Sequence, residues 1–295
     1  MIRVENAGTS AGIACRLCGG TASFAFSKLV LERLDVAYFR CDGCGSLQTE
    51  PPYWLGDAYA EDAGEGTNNL ADLDTGAAQR NLLTSAGVLV TAQLLGLRNT
   101  VDVGGGDGLL CRLLRDYGLN AYVSDRYAQA TYARGFTDPD FATPDLVTAF
   151  EVMEHLADPA TDLGTIFDRN ASAVLVSTDI YDGYGADWPY LTPQTGQHVF
   201  FYSRRGFQVI AERFGYHVLH AGFFTLFYKP KLAGGRIKAL SYLLRNKPLA
   251  LFRARLAFKP PSGSWQDSDL LRDRNAAITA GKQNSAGSMP STPVR

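Results

Sequence analysis

An apolar run that breaks into alternating glycines, Thr100-Val-Asp-Val-Gly-Gly-Gly-Asp-Gly-Leu-Leu110, constrains this chain more than any other stretch. It predicts a buried strand that turns sharply into a helix. The turn rests on Gly104, Gly106 and Gly108, since only residues without a Cβ let backbone reverse so tightly and approach a ligand so closely. Their spacing sorts the ligands. Cradling a dinucleotide pyrophosphate takes Gly-x-Gly-x-x-Gly, and Leu109 occupies the last of those places, so that site is disfavoured. A second apolar run, 120–124, ends at Asp125, about twenty residues beyond the first turn. A carboxylate placed there accepts both hydrogen bonds of a ribose diol.

Strand and helix patterns alternate around this loop. Helical patterning over 74–97 precedes the strand at 100–104. A helix to 117, strands at 120–124 and 146–150, a helix over 159–169, a strand at 173–178 and a helix over 204–214 follow. Two near-adjacent apolar strands, 216–220 and 223–228, meet at Gly222. Such alternation predicts an α/β fold with a Rossmann-like parallel sheet, helices on both faces, and an antiparallel closing pair. Upstream, Cys15-Arg-Leu-Cys18 and Cys41-Asp-Gly-Cys44 each present two thiols at knuckle spacing, followed by Gly19 and Gly45. Four thiolates close a tetrahedral shell with no place for water or substrate, so the expected zinc is structural. The intervening 24–40 alternates well enough for a hairpin that joins the knuckles. About fifty residues build little core unaided, and metal binding supplies the missing folding energy.

The pattern Asp102-x-Gly104-x-Gly106-x-Gly108 resembles motif I of the class I S-adenosylmethionine-dependent methyltransferases. The run Pro144-Asp-Leu-Val-Thr-Ala-Phe-Glu-Val-Met-Glu-His-Leu-Ala-Asp-Pro159 closely resembles the fourth-strand motif of a large group of them, a strand followed by Glu-x-x-Glu-His-Leu. Gln197-His-Val-Phe-Phe-Tyr-Ser-Arg-Arg-Gly-Phe207, with Phe214-Gly-Tyr216 after it, is similar to a later segment of the same group. With the knuckles ahead of them, these motifs look similar to the sugar C-methyltransferases and their relatives, over roughly residues 15 to 228. The resemblance implies S-adenosylmethionine as cofactor, held near Asp102, Gly104, Gly106, Gly108, Asp125 and Glu151. It also implies an acceptor of sugar, nucleotide-sugar or glycan type.

Methyl transfer from a sulfonium is an in-line displacement with an excellent leaving group, so the chain chiefly positions the acceptor and removes its proton. Of four histidines, His155 and His198 lie toward the carboxyl ends of the strands, where ligands bind in such sheets, and are the expected bases. His217 and His220 fall in a late strand and are read as structural. The loop 178–190 combines Asp179, Asp182 and Asp187 with Tyr181, Tyr184, Trp188 and Tyr190, a mix suited to carbohydrate. Cys111 reads as a small buried apolar residue.

The expected organisation is a zinc-binding module at 1–56, a helical connector or lid at 57–98, a cofactor-binding domain at 99–230, a basic amphipathic segment at 231–260 and a disordered tail at 261–295. Between Lys229 and Lys259 nine Lys or Arg stand without one acid, a pattern that either lies on an anionic membrane or packs on its own domain. No signal peptide is evident, and the cysteine usage fits a reducing cytoplasm, with peripheral membrane contact through 231–260. A formal charge of -2 disfavours nucleic acid as a partner. Two rival readings remain: a non-catalytic partner-binding protein on a relic fold, and an RNA methyltransferase. Against the latter, no Asn/Asp-Pro-Pro-Tyr/Phe run follows Phe150.

Overall fold

The computed structural model describes residues 12–63, 77–246, 250, 267 and 269–273. In chain order its elements are β1 Ile13–Ala14, β2 Thr21–Val30, β3 Leu34–Cys41, β4 Leu47–Thr49, α1 Leu55–Ala63, α2 Ala77–Leu95, β5 Asn99–Val103, α3 Leu109–Asp116, β6 Asn120–Ser124 and β7 Leu146–Phe150. There follow α4 Pro159–Asp162, α5 Gly164–Phe167, β8 Ala173–Ser177, β9 Phe200–Phe201, α6 Arg204–Phe214, β10 His217–Ala221, β11 Phe224–Tyr228 and α7 Gly235–Arg245. One six-stranded sheet runs β10-β11-β8-β7-β5-β6. Its strands β8, β7, β5 and β6 are parallel, and β11 lies antiparallel between β8 and the edge strand β10. This is the α/β architecture that the alternation predicts.

The parallel strands are apolar without a break because helices cover both faces. On one face α2 is buried through Ala86, Val88, Leu89, Val90 and Ala92, and a side chain at Gly87 would collide with the Phe224 ring. On the other, α6 is capped by Ser203, whose hydroxyl accepts from the Gly206 amide at 2.9 Å, and ends at Gly215 with φ +70°. The helix expected over 159–169 is instead two short turns. Gly164 and Thr165 are poor helix formers there, and Thr165 Oγ1 spends its hydrogen bond on the Asp162 carbonyl at 2.7 Å.

The second sheet runs β1-β2-β3-β4-β9, all antiparallel. Its β2–β3 hairpin joins the two knuckles as expected, but its last strand comes from far along the chain: Leu47 and Gln48 pair with Phe201 and Phe200. Cys15, Leu17, Ala22, Cys41 and Cys44 share one apolar cluster with Val101, Val147, Val174 and Phe207. The described residues 12–56 therefore do not close a core of their own. They borrow one from the main sheet.

The apolar face of α7, Ile237, Leu240, Leu243 and Leu244, is buried on the main core, which is the second of the two packings open to the basic segment; residues 247–249 and 251–260 of that segment, and 261–266, 268 and 274–295 of the tail, lie outside the described residues. No described helix is long and apolar enough to cross a membrane. Within the tail expected to be disordered, Asp267 and residues 269–273 are helical. Asp267 pairs with Arg115 at 2.6 Å and Arg112 at 2.7 Å, with the Arg115 and Asp267 side chains only 8% and 9% exposed. Removing one partner of a buried pair strands the other charge, so Asp267→Ala is expected to cost about 3–5 kcal/mol in denaturant unfolding. A loss under about 1 kcal/mol would mean that the tail contributes nothing to the fold.

Candidate functional site

The glycine loop lies at the carboxyl end of β5. Gly104, Gly106 and Gly108 all have left-handed φ, +68°, +56° and +84°. A Cβ at Gly104 would meet Val152 Cγ2 at 2.6 Å, and one at Gly108 would meet Ala133 Cβ at 2.7 Å, whereas Gly106 faces open space. Two glycines thus allow the loop to pack and the third leaves room above it. Asp125 ends β6 beside this space. Its Oδ2 accepts from the Gly106 amide at 2.9 Å, and its Oδ1 accepts from the Tyr127 and Ala128 amides, each at 2.8 Å. The carboxylate is already fixed against the loop, so a ligand diol would join or replace these amides.

Asp102 lies beneath the loop and not in the opening. It is 2% exposed; Oδ1 accepts from the Thr148 hydroxyl at 2.6 Å, and Oδ2 has no hydrogen-bond partner and faces Gly105. Burial pushes its carboxyl up to about 7, with Thr148 pulling it down and the Asp125 charge pushing it further up. Because the folded pKa is raised, the folded state binds the extra proton, and stability is lost as pH rises from about 4 through about 7. Asp102→Asn is expected to remove that slope, at most about 1.4 kcal/mol per pH unit, from denaturant midpoints measured between pH 4 and 7. An unchanged slope would show that Asp102 is ionised throughout.

Next to the loop, the end of β7 and the turn after it build a polar cluster. Glu151 holds a left-handed φ of +54°, costly for a residue with a side chain. Its carboxylate accepts from Ser177 Oγ at 2.6 Å and Tyr190 Oη at 2.9 Å. Burial raises its pKa, and the Glu154 charge raises it further. Its carboxylate joins this cluster, and Val152, the next residue, is the one that meets Gly104. Glu154 is fully buried, accepts from Tyr190 Oη at 2.7 Å through Oε1, and leaves Oε2 without a partner. The Nε2 atoms of His155 and His198 each lie 4.0 Å from Glu154 Oε1, and the two rings meet edge to face at 4.9 Å. Both histidines expected from the sequence are thus brought together. His198 Nδ1 lies 2.7 Å from the Tyr190 carbonyl, which only accepts, so Nδ1 donates there and Nε2 is turned toward Glu154.

Three sets of contacts in the site escape sequence reading. Tyr59 on α1 stacks on Tyr127 at 5.1 Å and 9°, and its hydroxyl lies 3.3 Å from His155 Nδ1, so α1 bridges the Asp125 turn and the histidines. Tyr190 ties the aromatic loop to both glutamates. Arg16, between the first two cysteines, donates to the carbonyls of Ala157 and Val199 at 2.7 and 2.6 Å, next to the histidine-bearing turns. The aromatic loop itself is mainly packing: Tyr181 is buried, and Trp188 and Tyr190 pack against Phe201. Tyr184, 47% exposed and stacked on Trp188 at 4.9 Å, keeps an open ring face. His217 rests on Tyr228, and His220 bonds Thr225 and packs on Phe207, away from this cluster.

At the knuckles, the sulfurs of Cys15 and Cys44 lie 3.8 Å apart and those of Cys18 and Cys41 3.5 Å, with all four within 4.8 Å of one another. Thiolates at about 2.3 Å from a tetrahedral zinc stand roughly 3.8 Å apart, so the set is compatible with that ion. Gly19 and Gly45, at φ +74° and +73°, donate back to the Cys15 and Cys41 carbonyls, each at 2.9 Å. Cys111 is fully buried on α3, as expected.

The sequence profile of a family described as a methyltransferase domain matches residues 70–221. Among solved structures, the chain is similar to the mitomycin 7-O-methyltransferase MmcR, at 22% identity over 60% of this chain and 68% of that one, with a TM-score of 0.38. It is similar to TnmH at 15% identity, over 60% of this chain and 63% of that one, with a TM-score of 0.43. It is also similar to magnesium protoporphyrin IX methyltransferase (ChlM) from Synechocystis PCC 6803 with bound S-adenosylhomocysteine (SAH), at 16% identity, 60% and 94% coverage, and a TM-score of 0.38. No curated protein sequence matches the chain significantly.

Proposed function

The chain belongs to the methyltransferase-domain family and is an S-adenosylmethionine-dependent methyltransferase, and from that premise we propose that its acceptor is a sugar, nucleotide sugar or glycan bearing free hydroxyls. The observation that carries this reading is the adjacency of two half-sites. The open space over Gly106 and Asp125 lies beside the Glu151, Glu154, His155 and His198 cluster, with Tyr59 contacting both. S-adenosylmethionine supplies the methyl group on a sulfonium, whose leaving group needs no help. The loop at Gly104, Gly106 and Gly108 holds backbone close to the cofactor, and Asp125 orients its ribose. Asp102 supports that loop from below.

The proton of the acceptor is lost at the cluster, where His155 and His198 present Nε2 beside Glu154. The open ring of Tyr184 gives the C–H face of a sugar a stacking surface, and Asp179, Asp182 and Asp187 offer acceptors for its hydroxyls. Cys15, Cys18, Cys41 and Cys44 hold a structural zinc that fixes the sheet on which β9 is laid. The organisation we propose keeps 99–230 as the cofactor-binding unit, with 1–56 fused to it through a shared core. Incubation with methyl-labelled S-adenosylmethionine and a panel of nucleotide sugars, lipid-linked glycans and short RNAs tests the acceptor class. Label entering a glycan or nucleotide sugar supports it; label entering RNA alone overturns it.

A further inference from the structure

The polar cluster sets two carboxylates against one hydroxyl. Glu151 and Glu154 share the single proton of Tyr190 Oη, at 2.9 and 2.7 Å, and Glu154 is fully buried. Among the described residues neither forms an ion pair with a Lys or Arg; besides Tyr190 Oη, the two imidazoles approach the Glu154 carboxylate. Buried carboxylates are otherwise neutralised, paired or bound to a metal. A second oddity points the same way. At 4.0 Å each Nε2 is too far from Glu154 Oε1 for a hydrogen bond, yet both approach the same oxygen. With Nδ1 held by the Tyr190 carbonyl, His198 turns Nε2, the nitrogen a metal would take, toward that oxygen, where His155 also brings a ring nitrogen. Glu154 Oε2, fully buried and without a partner, leaves further donor capacity at the same carboxylate.

We propose that Glu154, His155 and His198 hold a divalent transition-metal cation beside the cofactor crevice, with open coordination positions for acceptor oxygens. One ligand atom from each residue already lies within 4.8 Å of the others. Bonds of about 2.0–2.2 Å to imidazole nitrogen and carboxylate oxygen bring neighbouring donors to roughly 3–3.5 Å, so closure needs movements of about 1 Å. The second shell is in place. The Tyr190 carbonyl orients His198, Tyr59 lies against His155 Nδ1, and Tyr190 Oη bonds Glu154. Two imidazoles with a carboxylate favour a first-row ion such as Mn2+, Fe2+, Co2+ or Zn2+ over Ca2+.

This inference rests on the methyltransferase reading and deepens it, because it makes the acceptor atom an oxygen. A hydroxyl bound to the cation loses its proton to water, its oxygen bonds the methyl carbon, and the carbon–sulfur bond of the sulfonium breaks. The cation keeps its oxidation state. The two histidines then act on the acceptor through the cation, and an acceptor with two neighbouring oxygens chelates it.

The test is Mn2+ titration of the full-length protein, with zinc on its thiolates, followed by electron paramagnetic resonance. The expected result is one tightly bound Mn2+ whose spin echo shows nitrogen from two imidazoles. His155→Ala and His198→Ala should each weaken binding at least tenfold while S-adenosylmethionine still binds by calorimetry. No Mn2+ uptake, an echo without nitrogen, or wild-type affinity in both variants overturns the site. The nitrogen signal decides the matter in the wild-type chain even if a variant misfolds. Cofactor binding without Mn2+ uptake removes this site and leaves the methyltransferase reading standing. Mn2+ uptake with no methylated oxygen in any glycan removes the acceptor reading and leaves the site.

Discussion

Cys41→Ser is expected to unfold more than the knuckles. Cys41 is 1% exposed, and its cluster includes Val101, Val147 and Val174 of the main sheet. Losing one of four thiolates loosens a structural zinc whose binding contributes folding energy directly. The same sheet anchors β9, and β9 follows His198 by two residues. Ser203, the cap of α6, donates to the Cys44 carbonyl, so the knuckle also holds a helix of the main fold. The expected loss is about 4 kcal/mol, or roughly 10 °C in Tm, with one cooperative transition. Chelation of the metal should reproduce it in the wild-type protein. Two separate transitions in calorimetry, the later one unchanged, would show that the knuckle module folds apart from the rest.

The second large effect is on the cofactor. Asp125→Ala removes the ribose acceptor and at the same time frees the Gly106, Tyr127 and Ala128 amides that the carboxylate fixes. Affinity for S-adenosylmethionine should fall at least tenfold, about 1.4 kcal/mol. Thermal stability should fall far less, because the three amides face solvent or the open crevice. Asp125→Asn keeps an acceptor oxygen and should lose less affinity than the alanine variant. Equal losses in both would assign the effect to charge and not to hydrogen bonding.

The glycine loop, the strand order around it and the paired cysteines were legible because each is a local signal. A left-handed turn needs glycine, a buried parallel strand needs an unbroken apolar run, and a knuckle needs two thiols three residues apart. His155 and His198 were legible for a related reason, since His155 follows the apolar run 146–150 and His198 opens the run 199–202. Their meeting across a turn and a long loop was not, and neither were Tyr59 or Arg16, which reach the site from segments without any periodicity that points there. The pairing of β9 with β4 joins residues about 150 apart in the chain, and nothing in a two-residue strand announces such a partner. The basic segment shows a different limit. An amphipathic helix has one sequence pattern whether its apolar face meets lipid or the flank of α2, and in α7 the protein core takes it. The aromatic loop misleads similarly, because rings that stack on a sugar are the same rings that pack on Phe201.

The most direct test of the account is titration calorimetry of S-adenosylmethionine into the zinc-loaded wild-type protein and Gly106→Ala, with NAD as a control. Gly106 has space for a methyl group, and the added Cβ would stand where the ligand approaches; its φ of +56° makes alanine cost about 1–2 kcal/mol there, so the variant is compared at a temperature where its Tm shows it folded. The account predicts micromolar binding of S-adenosylmethionine to the wild type, a loss of at least tenfold in the variant, and no NAD binding. Absent cofactor binding by a folded wild-type chain, or NAD binding in its place, would contradict it.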